Sequence, residues 1–301
     1  MQLSPREHPI WRHGQTIVNG VRLHYVEAGA GPLVLLLHGF PEFWYSWRFQ
    51  IPALAAAGYH VIAPDMRGYN LSEKPPGVLP YHIRHLVGDA AELLRAFGGE
   101  QGGYLVGHDW GGVVAWHTAR RHPELVQKLV ILNAPHPNRF LEVLHDVPAQ
   151  RRKSWYVALF QLPWLPELLL PRTAKQVERS FRASGANPHH FTLDDARQYA
   201  EALNQPGAKT AMLNYYRNMA RRTLANRMRE LPHELAMPTL LLWGTEDVAL
   251  DIVNADADKL RRWVPNLQVE LLGASHWVQM DAPERVNELI LEFFQSRQLQ
   301  R

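Results

Sequence analysis

Residues 104–112 read Tyr-Leu-Val-Gly-His-Asp-Trp-Gly-Gly, an apolar run that ends in a glycine-flanked turn around Asp109. Small residues two positions before and two positions after a central reactive residue are typical of the sharp strand-to-helix turn called a nucleophile elbow. Such a turn tolerates no bulk at Gly107 or Gly111, and it points the central side chain into a pocket. A carboxylate there is suited to attack an sp³ carbon, as in an epoxide or an alkyl halide, giving an alkyl ester that water must cleave.

Short apolar runs alternate with helical periodicity along most of the remaining chain. Apolar runs without polar alternation indicate strands that are buried on both faces, as in a parallel sheet. Asn19-Gly20 joins two β-rich segments and predicts an antiparallel hairpin at the N-terminal edge. The pattern therefore predicts an α/β fold with a mostly parallel sheet. The predicted strands are 15–18, 21–27, 33–37, 60–63, 104–106, 129–132, 239–243 and 269–272, and the predicted core helices are 44–56, 81–97, 110–121 and 283–298.

The alternation of strands and helices is interrupted between residues 138 and 229. No buried-strand run occurs there, and aromatic, leucine and charged residues recur at helical spacing instead. The strand pattern resumes at Met237-Pro238-Thr239, so we expect a helical insertion that leaves and rejoins one core domain. An insertion at this point belongs over the carboxyl ends of the strands, where open α/β sheets bind ligands. We expect a core of residues 1–138, a helical cap of residues 139–229 and a second core part of residues 230–301.

Covalent hydrolysis at Asp109 also needs a base that activates water and an acid that orients the base. His276 follows the last predicted strand, within Gly273-Ala274-Ser275-His276-Trp277, and is the predicted base. Asp247 follows strand 239–243 and is the predicted acid, with adjacent Glu246 and the nearby Asp251 as alternatives. An acid could also stand after strand 129–132, but the chain has Asn133 there, which cannot carry the charge. The order of nucleophile, acid and histidine is that of one known arrangement of such triads.

The turn after strand 33–37 is expected to supply an oxyanion hole. His38-Gly39-Phe40-Pro41 can direct the backbone N–H of Phe40 into the pocket, where it would pair with the backbone N–H of Trp110. Removing one such donor from an enzyme typically slows the reaction by about 10²–10³-fold. His38 and Pro41 are also expected to shape the turn.

Composition excludes several classes of function. The chain has 301 residues, 46% of them hydrophobic and 20% charged, which fits one globular body. The absence of cysteine excludes disulfides, thiolate nucleophiles and Cys-ligated zinc. Lys and Arg total 32 against 29 Asp and Glu, and the stretch Arg151-Arg152-Lys153 lacks the pattern of a nucleic-acid site, so we interpret it as a solvated helix face. The sequence has no long apolar span and no export signal, so we expect a cytoplasmic protein without a membrane span. We also expect a monomer or homodimer with no metal, organic cofactor or nucleic-acid partner.

Over nearly its full length the sequence resembles the epoxide hydrolases of the α/β-hydrolase fold. The motifs that carry the resemblance are His38-Gly39-Phe40-Pro41-Glu42, Asp65-Met66-Arg67-Gly68-Tyr69, Gly107-His108-Asp109-Trp110-Gly111-Gly112 and residues 273–281. The resemblance implies conversion of small hydrophobic epoxides and water into vicinal diols through an ester on Asp109, without a cofactor. Haloalkane dehalogenases share several of these motifs.

The resemblance also implies two cap tyrosines that donate protons to the epoxide oxygen. Trp155-Tyr156-Val157-Ala158-Leu159-Phe160-Gln161 is similar to the block that holds the first tyrosine, which points to Tyr156. The block around Tyr215-Tyr216-Arg217 is similar to the second, where the tyrosine precedes arginine, and this selects Tyr216 over Tyr215. An alkoxide needs such a donor because its conjugate acid has a pKa of about 16, whereas a halide leaves unprotonated.

Two other functions remain as alternatives. A haloalkane or haloacid dehalogenase would use the same Asp109, but Phe40 stands where many haloalkane dehalogenases have asparagine, and the arginines that follow the nucleophile in fluoroacetate dehalogenases are absent. A ligand receptor of the same fold generally keeps serine at the elbow. The substrate pocket is expected to draw on the insertion, and four apolar side chains there are candidates either for pocket lining or for helix packing: Trp164, Leu165, Leu168 and Met212.

Overall fold

The computed structural model of the chain describes residues 10–225 and 234–296. Its strands are β1 (Trp11–Val18), β2 (Val21–Ala28), β3 (Leu33–Leu37), β4 (His60–Pro64), β5 (Gly103–His108), β6 (Val126–Leu132), β7 (Thr239–Gly244) and β8 (Leu267–Leu272). They form an eight-stranded sheet in the order β1-β2-β4-β3-β5-β6-β7-β8. All eight predicted strands are therefore present, most of them one to four residues longer than predicted.

The N-terminal edge of the sheet is antiparallel and the rest is parallel. β1 pairs with β2, and β2 with β4, in antiparallel register, whereas the pairs from β4 and β3 onward are parallel. Asn19 and Gly20 join β1 to β2 with positive φ angles of 49° and 71°. Two positive φ angles match the right-handed twist of a hairpin. The predicted mostly parallel α/β fold with an antiparallel edge is confirmed.

Thirteen α-helices are described in the same residues. Those of the core are α1 (Gln50–Ala56), α2 (Ile83–Gly98), α3 (Trp110–Arg121), α11 (Ala257–Leu260), α12 (Val278–Asp281) and α13 (Pro283–Gln295). Between β6 and β7 lie α4 (Pro137–Asp146), α5 (Pro148–Lys153), α6 (Trp155–Leu159), α7 (Leu165–Leu169), α8 (Ala174–Ala183), α9 (Leu193–Leu203) and α10 (Ala208–Ala225). The predicted helical insertion is thus present, and its predicted end at residue 229 lies outside the described residues.

Two predictions about individual elements are wrong. The predicted helix 44–56 is a short 3₁₀ turn over Trp44–Trp47 followed by α1; Trp44 and Trp47 both point into the core, a spacing of three residues that suits the tighter helix. Strand β8 is not buried on both faces, because it is the edge strand with β7 as its neighbour in the sheet, and Leu271 is 52% exposed. The inner strands follow the prediction, and all five residues of β3 are buried.

The helices α4–α10 are tied to the core at several points. Arg48 Nε lies 3.1 Å from Asp195 Oδ1 of α9, and both side chains are largely buried. The indole N–H of Trp277, next to His276, donates to Ser184 Oγ after α8 at 2.8 Å. Because Trp277 follows the carboxyl end of β8, these contacts hold the helical segment over the carboxyl edge of the sheet. None of the helices described in residues 10–225 and 234–296 is both long and apolar enough to cross a membrane.

Candidate active site

Asp109 lies at the turn between β5 and α3, with φ 48° and ψ −118°. Residues other than glycine rarely adopt a positive φ, so the surroundings must enforce this conformation. A Cβ added at Gly107 would lie 2.5 Å from the carbonyl oxygen of Gly111, and one at Gly111 would lie 2.1 Å from that of Leu37. The prediction that neither glycine tolerates bulk is confirmed.

The two oxygens of the Asp109 carboxylate have different neighbours: Oδ2 contacts the backbone and Oδ1 faces His276. Oδ2 accepts a hydrogen bond from the N–H of Phe40 at 2.8 Å, and the backbone N–H of Trp110 also favours the charged carboxylate. Oδ1 faces His276 Nε2 at 3.8 Å, beyond hydrogen-bonding distance. Burial raises the pKa of Asp109, while His276 and the two backbone donors favour the carboxylate and limit the rise.

His276 is held from behind by a buried carboxylate. Its Nδ1 donates to Asp247 Oδ2 at 2.7 Å. Burial disfavours the imidazolium, but the charges and hydrogen bond of Asp247, with a further contribution from Asp109, raise the pKa of His276 to about 9. Burial opposes the Asp247 carboxylate as well, yet its contacts with His276 hold the pKa of Asp247 below its usual value.

The two alternatives to Asp247 lie elsewhere. Glu246 is exposed, and Asp251 accepts a hydrogen bond from the N–H of Val253 at the start of the next short helix. Of the three acidic side chains, Asp247 is the one that contacts His276. Its other carboxylate oxygen, Oδ1, accepts from the backbone N–H groups of Ala249 and Leu250, so the loop after β7 fixes its orientation.

Sequence analysis named three polar side chains without recognising that they support this arrangement. Asn133 donates from Nδ2 to Asp247 Oδ2 at 2.8 Å and accepts from the N–H of Gly244 at 2.9 Å. Behind the elbow, His108 Nδ1 donates to Glu42 Oε2 at 2.7 Å, and its Nε2 lies 2.8 Å from the carbonyl oxygen of His276. Both members of the Glu42–His108 pair are fully buried. A buried glutamate needs a partner. Glu42 and His108 each stand beside one of the two predicted turns of the site, and this was the signal from which their pairing could have been predicted.

Tyr156 of α6 and Tyr216 of α10 meet above Asp109. Their ring centroids are 5.9 Å apart, and both side chains, together with Asp109, line the same cavity. Burial and then the nearby Asp109 charge raise the pKa of both phenols, so both stay protonated. Tyr215 differs, because its hydroxyl donates to the carbonyl oxygen of Arg67 at 2.7 Å. The Tyr216 ring instead packs edge-on against Trp110, with ring centroids 5.1 Å apart.

The cavity that Asp109 and the tyrosines share has a volume of about 160 Å³. Its wall is predominantly apolar and comes from α3, from α4 and from α6 and α10, with His117, Asn138 and Asn218 as polar members. An apolar cavity with a few convergent polar groups is the usual form of a small-molecule site. In residues 10–225 and 234–296 no group of three or more His, Cys, Asp or Glu side chains is arranged to hold a metal ion.

The four apolar candidates for the pocket do not line it. Met212 is fully buried and packs in the core, which is one of the two expected roles. Trp164, Leu165 and Leu168 are 78%, 43% and 61% exposed, so they neither line the cavity nor pack inside the helical segment. The segment projects them outward, away from Tyr156.

Comparison with known proteins places this site in a family. A family model of the α/β-hydrolase fold matches residues 32–283. The chain is 44% identical to AB hydrolase superfamily protein YfhM of Bacillus subtilis over 93% of its own length and 96% of that protein's. It is 42% identical to epoxide hydrolase 1 of Caenorhabditis elegans, covering 92% of this chain and 69% of that protein. The crystal structure of a Bacillus megaterium epoxide hydrolase with an inhibitor superposes with a TM-score of 0.83 at 35% identity, covering 94% of this chain and all of that one. This chain belongs to the epoxide hydrolases of the α/β-hydrolase family.

The membership agrees with the resemblance found in the sequence. The α/β-hydrolase fold accounts for a sheet whose strands deliver Asp109, Asp247 and His276 from the carboxyl ends of β5, β7 and β8. The geometry adds that the three side chains approach one another within a single buried site.

Proposed function

We propose that the chain hydrolyses small hydrophobic epoxides to vicinal diols through a covalent ester on Asp109. The observation that carries the proposal is the unequal environment of the two carboxylate oxygens. Oδ2 lies against the Phe40 N–H at 2.8 Å, while Oδ1 faces His276 across 3.8 Å at the cavity that two protonated phenols line. Oδ1 is therefore the attacking atom, and Oδ2 is the oxygen that an oxyanion hole would stabilise.

In the first step Asp109 Oδ1 attacks one epoxide carbon and the C–O bond to that carbon breaks. The developing alkoxide takes a proton from Tyr216 or Tyr156, which gives a hydroxyalkyl ester and a phenolate. Burial raises the pKa of Tyr216, whereas the Trp110 side chain, which packs against it, lowers the pKa of that phenol and so favours the phenolate form.

The ester removes the negative charge of Asp109, and this changes the state of His276. In the resting enzyme His276 is protonated, since its pKa is about 9. Once the Asp109 charge is gone, the pKa falls and the imidazolium releases its proton, which restores the tyrosine. Neutral His276, held by Asp247, then takes a proton from water as the water oxygen attacks the Asp109 carboxyl carbon. The N–H groups of Phe40 and Trp110 stabilise the tetrahedral intermediate. Its C–O bond to the substrate then breaks, the proton of its new hydroxyl passes to the departing alkoxide to complete the diol, and Asp109 returns to a carboxylate beside protonated His276.

The remaining features of the proposal concern the whole chain. The helices of residues 139–229 act as a cap over a core of residues 1–138 and 230–301, and the boundary at 229 lies outside the described residues. Residues of the chain supply each of the proton transfers, so the reaction needs epoxide and water and no added cofactor or metal. We also propose a cytoplasmic location and a monomer or homodimer.

The proposal is tested by assaying diol formation from aryl and aliphatic epoxides beside halide release from matched haloalkanes. Diol without halide, abolished in Asp109→Ala, is the expected result. Halide without diol would leave Asp109 as the nucleophile and refute the roles of Tyr156 and Tyr216. Asp251→Asn is the matched control, since Asp251 is an acidic residue of the β7 loop that does not contact His276.

The role of His276 is tested separately. In His276→Gln, alkylation should continue while hydrolysis of the ester stalls, because the imidazole serves the second step. Intact-mass spectrometry should then detect the enzyme plus one substrate mass. Full turnover by this variant would refute the assignment of His276 as the base.

A further inference from the structure

The segment from α6 to α7 presents an apolar surface to solvent that the fold does not use. Five side chains form this surface, which we call the apolar tip: Leu162, Trp164, Leu165, Leu168 and Leu169. Their exposed fractions run from 43% to 78%. Scattered exposed apolar residues are normal, but a contiguous group from one short segment indicates an interaction surface.

The short helix α7 turns its apolar face to solvent and its polar face to the protein, the opposite of an ordinary surface helix. Leu165, Leu168 and Leu169 stand at i, i+3 and i+4, the spacing of one helical face, and all three are exposed. On the opposite side, Glu167 forms a bidentate pair with Arg217 of α10, with N–O distances of 2.8 and 3.0 Å. The polar side of α7 thus faces the protein and the leucines face out.

The apolar tip is held rigidly rather than left as a loose loop. The Arg217 guanidinium donates to the carbonyl oxygens of Phe160 and Leu162 at 3.1 and 2.9 Å. Gln161 Nε2 donates to the carbonyl oxygen of Tyr216 at 3.3 Å. The tip is therefore fixed to α10, the helix that carries Tyr216, which is one of the two proposed proton donors.

Trp164 has an unusual backbone for an exposed residue. Its φ is 59°, in the left-handed region where a bulky side chain is strained. Glycine or asparagine would adopt this conformation at lower cost, and the indole is 78% exposed, so it adds little to the packing. Strained residues of this kind are concentrated at functional positions.

The stretch of sequence that contains the tip is rich in basic residues. Residues 151–182 contain seven basic and two acidic residues. Both acidic residues are paired, Glu167 with Arg217 and Glu178 with Arg182. Exposed Arg152 and Arg172 stand before and after the tip in the sequence, and in the described part of the chain neither has a carboxylate within 4 Å. Exposed tryptophan and leucine bordered by basic residues are typical of surfaces that bind anionic membranes.

We propose that the apolar tip docks on an anionic lipid bilayer, with Trp164 and the α7 leucines in the headgroup boundary and the flanking basic residues on the lipid phosphates. A second copy of this chain fits less well, because a two-fold interface would place the same positive surface against itself. Docking would bring the cap and its cavity to the bilayer, in which an apolar epoxide dissolves. The binding itself does not depend on the proposed chemistry, and it is measured without substrate.

The test is sedimentation of the full chain with vesicles of phosphatidylcholine and phosphatidylglycerol, beside vesicles of phosphatidylcholine alone. We expect co-sedimentation with the anionic vesicles, and at least tenfold weaker partitioning at about 1 M salt, where the Debye length is about 3 Å. Trp164→Ser combined with Leu168→Ser should weaken partitioning at least tenfold, since two buried apolar side chains are lost. The matched control, Ile17→Ser with Leu271→Ser, removes two exposed apolar residues elsewhere and should bind like the original chain.

The flanking charges are tested in the same assay. Arg152→Glu with Arg172→Glu should weaken binding to anionic vesicles at least tenfold, whereas reversal of two exposed arginines outside the segment, Arg84 and Arg121, should change it less than threefold. No binding by the original chain, or equal binding by the Trp164→Ser and Leu168→Ser variant, would overturn the proposal. A lipid-free dimer that this variant dissociates, seen by analytical ultracentrifugation, would overturn it in favour of a second copy.

Discussion

Replacing Asp109 with asparagine should lower the pKa of His276 by about three units. Asparagine keeps the shape of the side chain and removes its charge, as ester formation does. The charge lies 3.8 Å from His276 Nε2, and at an effective dielectric constant of about 20 a unit charge at this distance contributes about 4 kcal/mol, or about three pKa units. The pKa of His276, about 9 in the resting enzyme, should therefore fall well below that value in the variant.

The pKa is measured by NMR titration of the imidazole nitrogens. The chain has 16 histidines, so the His276 signal is assigned by its loss in His276→Gln. Glu246→Gln is the control, because it removes an exposed charge from the same loop as Asp247 and should leave the pKa nearly unchanged. Equal pKa values in the original chain and in Asp109→Asn would refute the view that alkylation converts His276 from an acid into a base.

Three further predictions concern the tyrosines, the elbow and the pH dependence of stability. Tyr216→Phe or Tyr156→Phe should slow ester formation by about 10–10²-fold each in single-turnover assays, since one phenol remains, and rates within twofold of the original would exclude that tyrosine as a donor. Gly111→Ala places a Cβ 2.1 Å from the Leu37 carbonyl oxygen and should lower the free energy of unfolding by about 3 kcal/mol or more; a near-original urea midpoint would show that the turn can relax. Because the pKa of His276 is raised from its usual value to about 9, its stabilisation is present below about pH 6.5 and lost as the pH rises through 9. The free energy of unfolding should fall by up to roughly 3 kcal/mol across that range, and the fall should be much smaller in His276→Gln.

Much of the fold and the candidate site could be predicted from the sequence, because strict local requirements restrict which residues can stand at given positions. The elbow excludes a Cβ at Gly107 and Gly111, and strands covered on both faces are continuous apolar runs. The carboxyl ends of parallel strands meet at one edge, so residues after separate strands, such as Asp247 and His276, could be expected to converge. The roles of those residues are what the experiments above test.

Other features depend on strand order and on contacts between distant residues, which no single stretch of sequence contains. The exposure of β8 follows from its place at the edge of the sheet, and strand order is not written in a single apolar run. The Glu42–His108 pair joins residues 66 positions apart. The outward leucines of α7 have the spacing of a packed helix, and only the Glu167–Arg217 pair shows which face is turned inward.

Isotope labelling of Asp109 tests the central claim most directly. A single turnover in ¹⁸O-water, with enzyme in excess over epoxide, is followed by mass spectrometry of the diol and of the peptide that contains Asp109. The account predicts label in the Asp109 carboxylate and none in the first-turnover diol, because water attacks the ester carbon while the diol takes its new oxygen from Asp109. Label in the diol with an unlabelled Asp109 would contradict it, since water would then have opened the epoxide directly.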